Sequence, residues 1–206
     1  MSETERVREI WETKTADRYD RQMKTMDRIF FKGGREWLTS RARGKVLEIA
    51  IGTGLNIPFY SEDVRLTGVD FSPATLKYAR ERAAEAGREV ELREADAHDL
   101  PFEDDTFDTV VASLCMCNFA DPRRAVAELK RVLKPGGLLL SMDHVRSPSL
   151  PVRSVQRLIN LYSVRFEGDH MLREPLDYYR ANGLEIVEFE RSKLGIVERV
   201  AARKPA

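Results

Sequence analysis

The chain has 206 residues, 42% of them hydrophobic and 33% charged. That is enough for one buried core, and it excludes disordered, collagenous and disulfide-scaffold classes. Lys+Arg 34 against Asp+Glu 34 leaves zero net charge, so a global basic field for nucleic acid is absent and no nucleic-acid partner is expected. No apolar run approaches the roughly 18 residues of a membrane span, the start MSETERVREI lacks a secretory core, and a cytoplasmic protein is expected.

Residues 3–31 carry Val7, Ile10, Trp11, Tyr19, Met23, Met26, Ile29 and Phe30 at helical spacing, which predicts a helix ending at Gly33-Gly34. A short helix over 35–40 follows. KVLEIAI over 45–51 is an apolar run of the kind a buried strand shows, and 64–69 reads as a second strand. Ser72-Pro73 opens a helix, with Ser72 as N-cap, that Gly87 stops. Strands are expected over 89–93 and 107–113, a helix after Asp121-Pro122, a turn at 134–137, and a strand over 138–142. Helices over 152–166 and 174–182 precede two strands, 184–191 and 196–202, spaced for a hairpin. Strand–helix alternation predicts an α/β fold: a doubly wound, seven-stranded, mostly parallel sheet with a C-terminal antiparallel hairpin. Residues 1–40 are expected to form an N-terminal helical lid on a single domain over 41–206, with an acceptor-pocket insertion at about 145–182.

In such a sheet the chemistry sits just after each strand. Gly52-Thr53-Gly54 ends the first strand, but Ile57 stands where a dinucleotide fingerprint needs its third glycine, which argues against a nicotinamide or flavin. Asp70 follows the second strand and suits the two hydroxyls of a ribose. Asp96-Ala97 follow the third and suit the edge of an adenine. Each acid alone also reads as a turn or cap residue; together they converge on one sheet edge. The two cysteines, Cys115 and Cys117, are expected to share one strand and point to opposite faces, which suits packing and neither a disulfide nor a zinc site. No metal is expected.

The segments VLEIAIGTG, LTGVDFS, EADAHDLPFEDDTFDTVVAS and ELKRVLKPGGLLL resemble the class I S-adenosylmethionine-dependent methyltransferases over most of residues 45–143. The resemblance implies S-adenosylmethionine as cofactor and S-adenosylhomocysteine as product. It places Glu48, Gly52 and Gly54 around the methionyl part, Asp70 at the ribose, and Phe71, Asp96 and Ala97 at the adenine. Ser113 and Leu114 would line the cofactor and substrate side, with Tyr19 closing over it. Ala50 stands where the family usually has its first loop glycine. VLEIAIGTGLNIPFY is similar to bacterial phosphatidylethanolamine N-methyltransferases. SLCMCNFADPRRAVAELKRVLKPGG followed by MDHV is similar to methyltransferases of alkyl thiols, and quinone-biosynthesis methyltransferases share the general pattern.

The acceptor is expected to be a small molecule or lipid head group attacking through N, S or O, by in-line displacement without a metal. His144, oriented by Asp143, is one candidate general base and His170 another; Tyr162 and Tyr178 are weaker, and His98 reads as structural. The helix LPVRSVQRLINLYSVRF sets an apolar face among arginines. It is expected to cover the pocket as a lid, with docking on an anionic membrane as the second reading, a choice the basic N-terminal helix shares. A cofactor-binding module without turnover is the alternative from another class. RNA is disfavoured by charge, and Ser113-Leu114-Cys115-Met116 replaces the motif of DNA amino-group methylation.

Overall fold

The computed structural model describes residues 3–13 and 16–206. In chain order the elements are α1 (Glu3–Thr13), α2 (Ala16–Ile29), α3 (Gly34–Thr39), β1 (Lys45–Ile49), β2 (Arg65–Asp70), α4 (Pro73–Glu85), β3 (Val90–Glu94), β4 (Phe107–Ser113), α5 (Pro122–Val132), β5 (Leu133–His144), α6 (Leu150–Phe166), α7 (Pro175–Ala181), β6 (Glu185–Ser192) and β7 (Val197–Arg203). The single helix expected over 3–31 is two helices; residues 14–15 between them lie outside the described residues.

The seven strands form one sheet in the order β3-β2-β1-β4-β5-β7-β6. β1 through β5 pair in parallel, and β7 enters antiparallel between β5 and β6. This is the doubly wound sheet with a closing hairpin that the alternation predicts. Its central strands are apolar on both faces because helices cover both: Leu47, Ile49, Val110 and Leu139 pack in a core that includes α5 residues, while Val46, Val111, Leu140 and Met142 pack in one that includes α3 and α4 residues. Burying each such side chain contributes about 1.5–3 kcal/mol, so the sheet's register is strongly specified.

The caps read from sequence are present. Ser72 Oγ accepts from the Thr75 N–H at the start of α4, and the Asp121 carboxylate accepts from the Arg123 and Arg124 N–H groups at 3.0 and 3.1 Å. Lys134–Gly137, expected as a turn before a strand, instead bulges within the longer β5. The β4 register jumps there from Phe107–Leu133 to Thr109–Leu138, and the Gly136 N–H and Gly137 C=O pair with Lys204. The cysteines also differ from expectation: β4 ends at Ser113, so Cys115 and Cys117 lie in the following loop, both free and both buried.

Helix α6 corrects the lid expectation. Its buried residues are Gln156 and Ser163, and its apolar side chains face solvent instead of covering the cleft. An apolar stripe identifies an amphipathic helix, but it does not say what the stripe faces.

Candidate active site

Strand order reverses between β1 and β4, and their carboxyl ends flank a crevice. Two lobes open there. One is lined by residues including Trp11, Tyr19, Arg35, Glu48, Ser113 and Leu114; the other includes Val7, Asp96, Ala97 and His98. Ala50, Asp70, Phe71, Asn118 and Phe119 border both, so the two lobes form one bent cleft.

The loop after β1 is built for close backbone approach. Ala50 has φ 47° and Gly54 φ 77°. At Gly54 a Cβ would stand 2.6 Å from Ile57 Cδ1 and 3.2 Å from Ala79 Cα, so both conformation and space demand glycine. Ala50 takes the same left-handed conformation with a side chain, which leaves local strain here. Asp70 pins the loop: Oδ2 accepts from the Gly52 N–H at 2.9 Å, and Oδ1 from the Ser72 N–H and Thr75 hydroxyl at 2.9 and 3.0 Å. Asp70 thus serves the loop's own backbone as well as facing the cleft. Burial raises its pKa against these hydrogen bonds.

Glu48 is buried beneath this loop. Its two oxygens accept from Asn56 Nδ2 at 2.7 Å and the Tyr60 hydroxyl at 2.9 Å. Desolvation pushes it up to about 7, with the two hydrogen bonds and Arg35 working the other way. Arg35, on α3, is a site residue the sequence reading missed. It is buried, lines the larger lobe, and donates to Asp27 Oδ2 and Asn56 Oδ1, each at 2.7 Å. Gly33-Gly34 just before it was the only local signal. Trp11, which the sequence shows only as part of a helical stripe, lines the cleft edge-on to Tyr19 at 5.1 Å. Burial raises the Tyr19 hydroxyl pKa. α2 is latched over the loop through Asp20, which accepts from the Thr53 hydroxyl at 2.7 Å and pairs with Arg82. α1 is tied to the end of β3 by Arg8–Glu94.

In the smaller lobe, Asp96 Oδ1 accepts from the His98 N–H at 2.9 Å and also faces His98 Nδ1. His98 Nε2 accepts from the Asp121 N–H, so the ring bridges two loops as a structural group. Phe71 and Phe119 offer flat apolar walls between the lobes.

The acceptor side is the loop after β4. Ser113 Oγ is buried without a hydrogen-bond partner, and Leu114 takes φ 54°, a strained turn of the kind found at binding sites. Asp143 does not line either lobe. It stands behind the loop, and its Oδ2 accepts from the Met116 N–H at 2.9 Å. His144 Nε2 pairs with Asp169 at 3.1 Å and lies 4.0 Å from Asp143 Oδ1. Burial pulls His144 down, but the Asp169 carboxylate and Asp143 outweigh it and lift the ring to about 9. Burial lifts Asp143 to about 6. The trio Asp143, His144 and Asp169 thus sets two acids around one imidazole whose charged form they favour. Cys117 Sγ completes a group with Asp143 and His144 whose ligand atoms lie within 4.8 Å of one another, a grouping that sequence spacing hides. Burial holds this thiol protonated, and His144 and one Asp143 oxygen already have other partners. His170 contributes through its backbone, its N–H donating to the Cys117 C=O at 3.0 Å. Arg173 binds the Met116 C=O and Asn118 the Gly168 C=O. Tyr162 is exposed against Phe166, and Tyr178 packs on the core; neither borders the cleft.

A family model described as a methyltransferase domain matches residues 47–141. The chain is 42% identical over 127 residues to a phosphatidylethanolamine N-methyltransferase of Cereibacter sphaeroides, a match spanning 61% of each chain and so less than two thirds of that relative. It is 32% identical over 182 residues to a demethylmenaquinone methyltransferase of Clavibacter sepedonicus, covering 79% of this chain and 74% of that one. Among solved structures, an S-adenosylmethionine-dependent methyltransferase of Thermotoga maritima superposes with a TM-score of 0.72 at 21% identity, covering 96% and 99% of the two chains. At that identity the likeness concerns the fold.

Proposed function

This chain belongs to the S-adenosylmethionine-dependent methyltransferase family, and we propose that it methylates an amine nitrogen of a small molecule or phospholipid head group, releasing S-adenosylhomocysteine. The bent cleft suits the cofactor. Phe71, Asp96 and Ala97 would hold the adenine, Asp70 the ribose, and Glu48 and Arg35 the ammonium and carboxylate of the methionyl end, with Ala50, Gly52 and Gly54 at their backbones. Ser113, Leu114 and Tyr19 would border the methyl. When bound, S-adenosylmethionine supplies an activated methyl group on a sulfonium. The helices of residues 1–40 would cap it, and residues 145–182 would shape the acceptor side.

The observation that carries the choice of nitrogen is the Asp143–His144–Asp169 cluster behind the loop 114–118, where two acidic side chains, one buried and one half-buried, meet a single histidine. An amine acceptor ends the transfer as a cation, so acidic side chains behind the acceptor wall favour product-like charge at that position. Trp11 and Tyr19 line the same lobe as Ser113 and Leu114, and aromatic rings favour a nearby cation. His144, kept protonated by Asp169, is poorly placed to accept a proton at pH 7. We therefore assign Asp143 and His144 to positioning and electrostatics, with His170 holding the loop through its backbone, and the amine sheds its proton before attack. The chain's first named relative methylates phosphatidylethanolamine by its name; a cytoplasmic site at a membrane surface would accord with that acceptor.

The test is turnover with methyl-labelled S-adenosylmethionine against phosphatidylethanolamine vesicles, free ethanolamine, an alkyl thiol and a demethylated quinol, with products identified by mass spectrometry. Label on an amine supports the reading. Label confined to the thiol or quinol overturns it.

A further inference from the structure

We propose that α6 docks on an anionic phospholipid surface through its outward apolar face. The helix is held inside out. Gln156 is buried, its Oε1 accepting from the Ser147 N–H and its Nε2 donating to the Val145 C=O, each at 2.8 Å. Ser163 donates to the Asp169 C=O at 2.7 Å, and Asn160 Oδ1 accepts from the Met171 N–H at 2.8 Å. Rotating the helix to bury its leucines would break all four bonds and leave buried polar atoms unpaired.

The outward side carries Val155, Leu158, Leu161, Tyr162 and Phe166, with Leu158 71% and Leu161 72% exposed, while Ile159 borders the inward side. Leu194, 73% exposed, projects from the turn whose C=O accepts from the Ser147 hydroxyl near the N-terminus of α6. Scattered apolar residues on a surface need no explanation, but a contiguous stripe along a helix of about 25 Å does.

Charge selects the occupant. α6 contains Arg153, Arg157 and Arg165 and no acidic residue; Arg157 and Arg165 are exposed. An apolar stripe rimmed by arginine matches an anionic bilayer, where the rings and aliphatic chains enter the headgroup boundary and guanidinium groups meet phosphates. A second copy of the same face would instead set arginines against arginines. No helix among the described residues is long and apolar enough to cross a membrane, so α6 lies on the surface. The chain leaving α6 is the segment whose Gly168, His170 and Arg173 hold residues 116–118, so the docked face adjoins the acceptor wall. The inference goes beyond the choice of acceptor and is read without any turnover.

The experiment is co-sedimentation of the full chain with phosphatidylcholine vesicles, with and without phosphatidylglycerol, at low and high salt. The wild type is expected to sediment with the anionic vesicles and to be released by salt. Leu158→Glu with Leu161→Glu should weaken partitioning at least about tenfold, and Arg157→Glu with Arg165→Glu should weaken it and flatten the salt dependence. Circular dichroism and S-adenosylhomocysteine binding should stay unchanged in both variants, because all four positions are exposed and outside the cleft. Failure of the wild type to sediment, or equal sedimentation of the leucine variant, overturns the inference. So does a dimer in sedimentation velocity that the leucine variant dissociates without any vesicle binding. Cofactor-product binding separately reports on the methyltransferase reading, so the two can fail independently.

Discussion

Glu48→Gln should stabilise the unliganded protein at alkaline pH while weakening the cofactor site. Burial raises the Glu48 carboxyl from 4.5 to about 7. On a rise in pH the unfolded chain ionises first, so this group's contribution is most favourable below pH 4.5 and is lost as pH climbs through 7. Once both states are ionised, the gap costs folding about 3 kcal/mol; at pH 5 it costs about 1 kcal/mol. Glutamine removes that cost but keeps only one acceptor oxygen for the two donors, Asn56 and Tyr60, a loss of about 1 kcal/mol at any pH. The net expectation is a gain of about 2 kcal/mol at pH 8, or about 5 °C in Tm, and almost none at pH 5. Calorimetry with S-adenosylhomocysteine at pH 8 should show affinity reduced about tenfold or more, because an ionic partner for the ammonium is gone. A variant equally destabilised at both pH values, with unchanged affinity, would refute the buried-carboxylate argument.

Ala50→Gly should raise stability by about 1 kcal/mol in urea unfolding, since φ 47° favours glycine; a loss would contradict the strain assigned there. Asp169→Asn should flatten a pH dependence. The His144–Asp169 pair contributes fully below about pH 6.5 and is lost as pH rises through about 9, so the variant should be weaker by about 1–3 kcal/mol at pH 6 and match the wild type near pH 10. Arg35→Lys should reduce S-adenosylhomocysteine affinity about tenfold, because an ammonium cannot reproduce the planar bridge to Asp27 and Asn56; unchanged binding by calorimetry would remove Arg35 from the site.

The parts of this fold that were legible follow local rules. β1, β2 and β4 are apolar on both faces because parallel strands are covered twice, and Ser72-Pro73 and Asp121-Pro122 announce helices through cap chemistry. Glycines and acids after successive strands converge because the sheet is parallel. What stayed hidden depends on tertiary packing. A helical stripe shows that α6 is amphipathic, but only Gln156 and Ser163, bonded inward, reveal which side is in. The grouping of Cys117, Asp143, His144 and Asp169 joins two loops and a strand end far apart in the chain. Arg35 enters the cleft from α3, before the first strand, where no spacing rule points. The bulge at Lys134–Gly137 arises because Lys204 at the far end of the chain pairs with it.

The central claim is that the cleft between the ends of β1 and β4 holds S-adenosylmethionine, and isothermal titration of the full chain with S-adenosylhomocysteine tests it most directly. The account predicts saturable one-to-one binding that Asp70→Ala abolishes or weakens at least about tenfold, since Asp70 pins the glycine loop and lines the cleft. No heat of binding from a folded wild-type protein, or binding indifferent to Asp70, would contradict it.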